Sequence, residues 1–295
     1  MEKMKRIKES TSYRLFSAVN LLFLFTVTAV CILPFIHILA LSFSGEHPAN
    51  ANLVGLWPME FNLKAYQEVF KDERLLGSMW VSIQRVFLGV AVNMVLTVLV
   101  AFPLSYDKEK FPTRNVYLWF VIFTMLFSGG LIPIYMLMRQ MDLMNTLWSL
   151  ILPGIPVFNV IILMNFFRQL PKEIEESAIM DGATHFVLLR RIFLPLSLPA
   201  IATLVLFCTV GHWNSWFDGL IYMDAKRYPI QTYIQVLVAK TSEAMSFEES
   251  KRLALVSRRS LLAAKLIVAI LPILIVYPYL QKYFKTGMVL GAVKG

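Results

Sequence analysis

The sequence predicts an all-α, polytopic membrane protein with six transmembrane helices, on three observations. Hydrophobic residues make up 57% of the 295 and charged residues 16%, against roughly 45–50% and about 25% in soluble domains. Mean hydropathy is +0.63. Six stretches offer about 20 mostly apolar residues each, enough to cross about 30 Å of hydrocarbon at about 1.5 Å per residue. A water-soluble fold could not hide this much apolar surface, so the lipid bilayer is the solvent for much of it. With 13% aromatics, 13 Gly and 14 Pro, the chain is neither disordered nor collagenous.

The expected spans are 16–41, 79–104, 117–137, 147–167, 194–214 and 261–283. The first follows Lys3, Lys5, Arg6 and Lys8, and Ala40-Leu41-Ser42 faintly resembles a signal-peptide cleavage site. Its apolar run exceeds a signal core of about 7–15 residues, so it reads as a span. Ser128-Gly129-Gly130 and Pro133 interrupt the third, which neighbouring helices can tolerate. Residues 62–74 carry Leu63, Tyr66, Val69 and Phe70 at helical spacing and predict a surface helix. There is no repeat or low-complexity tract, and 1–295 reads as a single membrane domain. Cys31 and Cys208 fall in apolar stretches and read as small buried hydrophobes.

Charge orients the spans. The N-terminal tail, the loop 105–114, the loop 168–191 and the C-terminal tail, counted from Lys282, hold 15 Lys and Arg against 8 acids. The other three loops hold 11 against 11, and Arg85 and Lys265 within spans complete the net +9. Basic loops stay inside, so both termini are expected in the cytoplasm. The seven basic residues of the loop between spans five and six are the misfit, and long loops cross largely regardless of charge. A basic balance set out in this way points to membrane topology, not to nucleic acid.

The loop 168–195 carries the most information. Pro171 suits a first helical position, and Glu173, Glu175 and Glu176 complement the dipole of the helix start. Ile174, Ala178 and Ile179 form a narrow apolar stripe. Gly182 can end the helix in a left-handed cap, and Thr184 can cap a second helix that carries Arg190 and Arg191 into span five. A short cytoplasmic helix fused to a span could dock on a partner and tilt that span. An ordinary helix–turn–helix linker is the plainer reading.

Glu176-Ser177-Ala178, Gly182 after three further residues, and Ile192-Phe193-Leu194-Pro195 after nine more resemble the EAA signature of permease subunits in binding-protein-dependent ABC importers. Asp181-Gly182-Ala183 matches its usual DGA, and Ser177 stands where Ala is usual. The likeness runs along nearly the whole chain and is nearest the smaller permease of maltose-type carbohydrate importers. His212-Trp213-Asn214-Ser215-Trp216-Phe217, Tyr228-Pro229-Ile230-Gln231 and the tail 287–295 look like a subgroup serving complex oligosaccharides, including uronate-containing ones such as alginate. The resemblance implies a second permease, two ATPase subunits, an extracytoplasmic solute-binding protein and an oligosaccharide substrate in a bacterial inner membrane. It implies that Glu176, Ser177, Ala178, Asp181, Gly182 and Ala183 couple the chain to the ATPases, which bind ATP and magnesium in its place.

What the sequence lacks agrees. It has no G-x-x-x-x-G-K-[ST] phosphate loop, no H-E-x-x-H and no Cys/His metal spacing, so neither a catalytic residue nor a metal ligand is expected. His37, His47, His185 and His212 lie far apart. A sugar path wants aromatic faces and amides, and Trp213, Asn214 and Trp216 at the end of span five are the candidates, with Tyr222 and Gln231 behind them. An interfacial aromatic belt is the alternative for the tryptophans. Arg85 and Lys265 either snorkel to headgroups or line the path and attract an acidic glycan. A stand-alone secondary transporter would show paired repeats and membrane-centred charges. An intramembrane enzyme would need facing carboxylates or a nucleophile–base pair. Neither pattern is present, and an ABC permease for a non-sugar solute remains the nearer alternative.

Overall fold

The computed structural model describes residues 11–154, 156–240 and 257–292, and no strand occurs among them. Two compact units are distinguished: Met1–Lys71 with Ala244–Val268, and Asp72–Glu243 with Ala269–Gly295.

In the first unit, α1 (Thr11–Ser42) is apolar on every side, and none of its most hydrophobic window is buried by the chain. Thr26 and Thr28 donate their hydroxyls to the carbonyls of Leu22 and Leu24 at 2.8 and 2.7 Å, so neither hydroxyl hydrogen is left for lipid. Cys31 lies on this outward surface, which corrects the expectation that both cysteines are buried; only Cys208 is. A helix solvated by lipid has no need to bury its apolar side chains. Two short helices follow, α2 (Glu46–Asn50) and α3 (Lys64–Lys71). The latter is the expected surface helix, with Val69 buried and Phe70 exposed.

The second unit opens with α4 (Glu73–Ser105), which starts before residue 79 because Asp72 Oδ1 accepts the N–H groups of Arg74 and Leu75 at 3.0 and 3.2 Å. Next come α5 (Arg114–Leu126), α6 (Leu131–Gln140), α7 (Leu147–Ile151) and α8 (Val157–Arg168). The loop 168–195 forms α9 (Lys172–Met180), α10 (His185–Leu188), a π-helical turn Leu189–Phe193 and α11 (Leu194–Leu196). Then α12 (Leu198–Asn214), α13 (Phe217–Tyr222) and α14 (Ile230–Lys240) complete the middle of the chain. The last helix, α15, runs Arg258–Ala292.

Among the described residues, three single helices are long and apolar enough to cross a bilayer, and the count reaches six if each of three bent pairs is one span. The bends fall where the backbone loses its ladder. α5 and α6 meet at 108° across Gly130, whose φ of +92° suits glycine. Pro153 and Pro156 flank the 52° bend between Leu147–Gly154 and α8.

α4, α8 and α12 pack on one another around Met94, Phe102, Leu163, Phe167 and Leu204. Phe102, Phe167 and Phe193 meet edge to face, with centroids 5.1 to 6.4 Å apart. This triad joins α4 and α8 to the π turn. Such ring pairs add about 0.5–1.5 kcal/mol each beyond area burial. Along α4, Ser78, Ser82, Arg85, Gly89, Asn93 and Thr97 form a buried polar face instead of an apolar one.

Candidate functional site

The loop 168–195 folds as its residues dictate. Pro171 is the residue before the helix, not its first turn; its ψ of 126° is extended. At the other end Gly182 takes φ +81°. Its N–H donates to Ile179 O at 2.9 Å, and the N–H of Ala183 reaches back to Ala178 O at 2.9 Å. These two bonds make a Schellman stop, and Ala178 and Ala183 both pack on the core beneath. Thr184 Oγ1 then accepts the N–H of Val187 at 3.5 Å and starts α10. Glu176, Ser177 and Asp181 are exposed, and Ser177 Oγ donates to Glu173 O at 2.7 Å. Ile174, Ile179, Phe186 and Met180, the last 87% exposed, leave an apolar patch uncovered by the chain itself.

The expected fusion of this loop to span five is an elbow. His185–Leu196 meets α12 at 81°. Pro195 and Pro199 remove two N–H groups there, and the π turn Leu189–Phe193 shifts the helical register by a residue. Backbone bonds still cross the corner: Ser197 N–H donates to Phe193 O at 3.0 Å and Ile201 N–H to Ser197 O at 2.9 Å.

The loop after α4 clamps α9 from the side. Asp107 accepts Lys172 Nζ at 2.7 Å and lies 3.7 Å from Arg168 Nη2. Lys110 Nζ pairs with Glu175 at 2.8 Å. Tyr106 Oη and His185 Nδ1 are 3.2 Å apart, with the rings edge to face at 5.7 Å. The Lys172 bond and charge hold Asp107 below the ordinary carboxylate range. Burial, then the Glu175 carboxylate, push the Tyr106 phenol up to about 12.

At the other end of α12 the proposed path residues separate. Asn214 is exposed and Trp216 is 39% exposed, whereas Trp213 is buried and its indole N–H finds no acceptor among the described residues. Arg85 neither snorkels nor stands open to a cavity. Its guanidinium lies on the Asp218 carboxylate and also donates to Ser215 O at 3.3 Å and Leu150 O at 3.4 Å. Asp218 becomes available because Ser215 and Gly219 donate to the same carboxylate at 2.8 Å each and hold it inward. Lys265 is buried in the first unit, in the early turns of α15. Tyr222 is buried with its ring stacked on Tyr135.

Two polar pairs are not apparent from the sequence. Asn93 Nδ2 donates to His212 Nε2 at 2.9 Å, and Asn159 Nδ2 to Cys208 Sγ at 3.2 Å. Cys208, His212 and Ser215 recur along one side of α12 and its end. Together with the four-residue spacing of Arg85, Gly89, Asn93 and Thr97 on α4, they are the available signal.

No protein-family model matches the chain. Whole-length relatives do. Protein LplC of Bacillus subtilis (strain 168) is 41% identical over 297 residues, covering 100% of each chain. The polygalacturonan/rhamnogalacturonan transport system permease protein YtcP of the same organism is 38% identical, over 96% of this chain and 99% of that one. The crystal structure of a bacterial ABC transporter involved in the import of the acidic polysaccharide alginate contains a chain that superposes with a TM-score of 0.88 at 28% identity. That match covers 94% of this chain and 99% of the other. Matched from end to end in sequence and in fold, the chain belongs to the permease subunits of carbohydrate ABC importers, multi-pass membrane proteins that serve sugar transport.

Proposed function

We propose that residues 1–295 work as one transmembrane domain in the cytoplasmic (inner) membrane of a bacterium, with both termini inside. Residues 168–195 are the handle by which two partner ATPase subunits rock it between inward-facing and outward-facing states. ATP and magnesium are bound by those partners, and this chain has no hydrolytic site of its own. A second permease supplies the other wall of the pathway, and an external solute-binding protein delivers the solute. The basic excess of the loops on one side supports the orientation. One observation carries the reading: α9 is stopped by Gly182, clamped by Asp107 and Lys110, joined to span five by an elbow, and still exposes Ile174, Ile179 and Met180. An apolar patch held this firmly suits a groove on a partner.

The substrate we propose is an acidic oligosaccharide. The alginate and polygalacturonan importers among the relatives support the class. In this chain Trp216 offers an aromatic face and Asn214 an amide, while Trp213 is buried. Arg85 serves the path through Asp218, which sits two residues beyond Trp216, and in the first unit Lys265 is the other candidate cation.

The test uses the full assembly. Glu176→Lys should release the ATPases during purification and abolish uptake. Trp216→Ala should lower uptake of an oligogalacturonate while the ATPases stay bound. Unchanged co-purification and uptake in Glu176→Lys would overturn the handle. Equal loss of a neutral and an acidic glycan in an Arg85→Gln/Lys265→Gln importer that assembles with wild-type thermal stability would overturn the acidic specificity.

A further inference from the structure

The first unit holds a cleft that coupling does not use. It lies between the later part of α1, the loop around residue 54 and the first turns of α15, and it encloses about 280 Å³. Ile38, Leu41, Leu262 and Leu266 make an apolar wall, while His37 and Arg259 stand on the polar side. Arg259 brings the one full charge among the described lining residues.

The loop reaches this cleft by folding back along α1. His37 Nδ1–H donates to Gly55 O at 2.9 Å. His37 stands five residues before the end of α1 at Ser42, which is about 7 Å down the helix axis. Residues near Gly55 therefore run beside an apolar helix, not above its end. Their side chains suit that depth: Leu53 and Leu56 are exposed, and Trp57 is 84% exposed. An indole, apolar with a single N–H, settles where headgroups meet acyl chains.

The cation is held in place. Arg259 Nη1 donates to Asn52 Oδ1, which leaves other guanidinium N–H groups for a ligand. Ser257 Oγ accepts the Arg259 N–H at 3.2 Å and donates to Asn50 Oδ1 at 2.7 Å. Ser260 Oγ donates to Ser44 O at 3.1 Å. The opening turn of α15 is thus stitched to the loop that walls the cleft.

We infer that this cleft binds an anionic phospholipid, its phosphate on Arg259 and an acyl chain against Leu41, Leu262 and Leu266. The leaflet is the one at this end of α1, outer in the proposed orientation. A forked cation above an apolar wall, beside an interfacial indole, follows the order of groups in such a lipid. The site requires only that α1 crosses the bilayer, so it stands apart from the docking of residues 168–195.

Native mass spectrometry of the complete importer in mild detergent, titrated with phosphatidylglycerol and with phosphatidylcholine of the same chains, tests it. The wild type should retain phosphatidylglycerol in preference. Arg259→Gln should weaken that retention roughly fivefold, the worth of one arginine near a charged surface, and weaken phosphatidylcholine less, because its choline already balances the phosphate. Arg259→Lys should keep most of the preference. Inorganic phosphate in excess should not displace the lipid, because it cannot use the apolar wall. Equal retention of the two lipids by the wild type, displacement by phosphate, or an undiminished preference in Arg259→Gln would overturn the site. ATPase co-purification, expected intact in both variants, reports separately on coupling.

Discussion

Arg85 on α4 is closed onto the carboxylate of Asp218 in α13, with its guanidinium almost wholly buried and the carboxylate a quarter exposed. Two further carbonyls accept from its terminal nitrogens, while its Nε–H finds no acceptor among the described residues. Removing one member of such a pair strands the other and costs about 3–5 kcal/mol, whereas an apolar pair of similar shape can be nearly neutral. Arg85→Met and Asp218→Leu should each lower the thermal midpoint of the assembled importer, Arg85→Met less because water still reaches the carboxylate that it strands. The double variant should recover much of the loss. A double variant no better than the worse single would show the two charges to be energetically independent.

At Gly182 the constraint is backbone, not space. A Cβ there would meet nothing within 4 Å, yet φ is +81°. A left-handed conformation costs an ordinary L-residue about 1–2 kcal/mol, and Asn tolerates it better than its size suggests. Uptake and ATPase co-purification should therefore fall in the order Gly182→Asn, Gly182→Ala, Gly182→Val, the largest loss last. A ranking by side-chain volume would place Asn below Ala and would refute the backbone account.

That same glycine shows what a sequence can carry. A helix stop is local: Gly182, Thr184 and Asp181 lie within one turn of each other, so their roles are readable in order along the chain. Span lengths are readable for the same reason, because twenty apolar residues are contiguous. The bends are not. Pro153, Pro156 and Pro195 announce a weakened ladder, but the angle depends on what packs against it, and the 81° elbow at Ser197 is set in three dimensions. Ion pairs are harder still. Asp107 meets Lys172 across 65 positions of sequence, and Arg85 meets Asp218 across 133. Composition places Arg85 in a span and leaves only headgroups or a cavity for it, because its true partner sits in a segment that reads as the tail of an aromatic cluster.

The Asp107–Lys172 pair is exposed on both sides, and its behaviour should be that of a screened contact. Asp107 titrates below its ordinary value because of Lys172. A carboxylate depressed in the folded state stabilises above the unfolded pKa of about 3.9 and loses that contribution as pH falls through the lower folded value. Between pH 5 and pH 8, roughly the working range, ATP hydrolysed per sugar imported should not respond to this group. It should respond to salt: raising potassium chloride from about 0.05 to about 0.5 M should loosen the coupling ratio of the wild type. Asp107→Asn should begin loose and change little. A variant as salt-sensitive as the wild type would remove this clamp from the coupling path.

One substitution made twice in α4 should have opposite signs. His212 lies against Gly89, so that a Cβ added there would fall 2.5 Å from Nε2. Gly89→Ala must push the imidazole aside and break its 2.9 Å bond from Asn93. Overpacking costs about 1–3 kcal/mol, and a lost interhelical bond in a membrane about 0.6 more. Gly77, one turn into the same helix, is exposed, and a methyl group added to it would meet nothing within 4 Å. There alanine only restricts the unfolded backbone and should stabilise by up to about 1 kcal/mol. Thermal unfolding of the assembled importer should move down for Gly89→Ala and up or not at all for Gly77→Ala, with sugar uptake reduced in the first alone. Because the two sites share a helix, expression and insertion are matched. A Gly89→Ala importer as stable as wild type would mean that α12 can shift away from α4 without cost, and that the polar face between them does not hold the two spans in register.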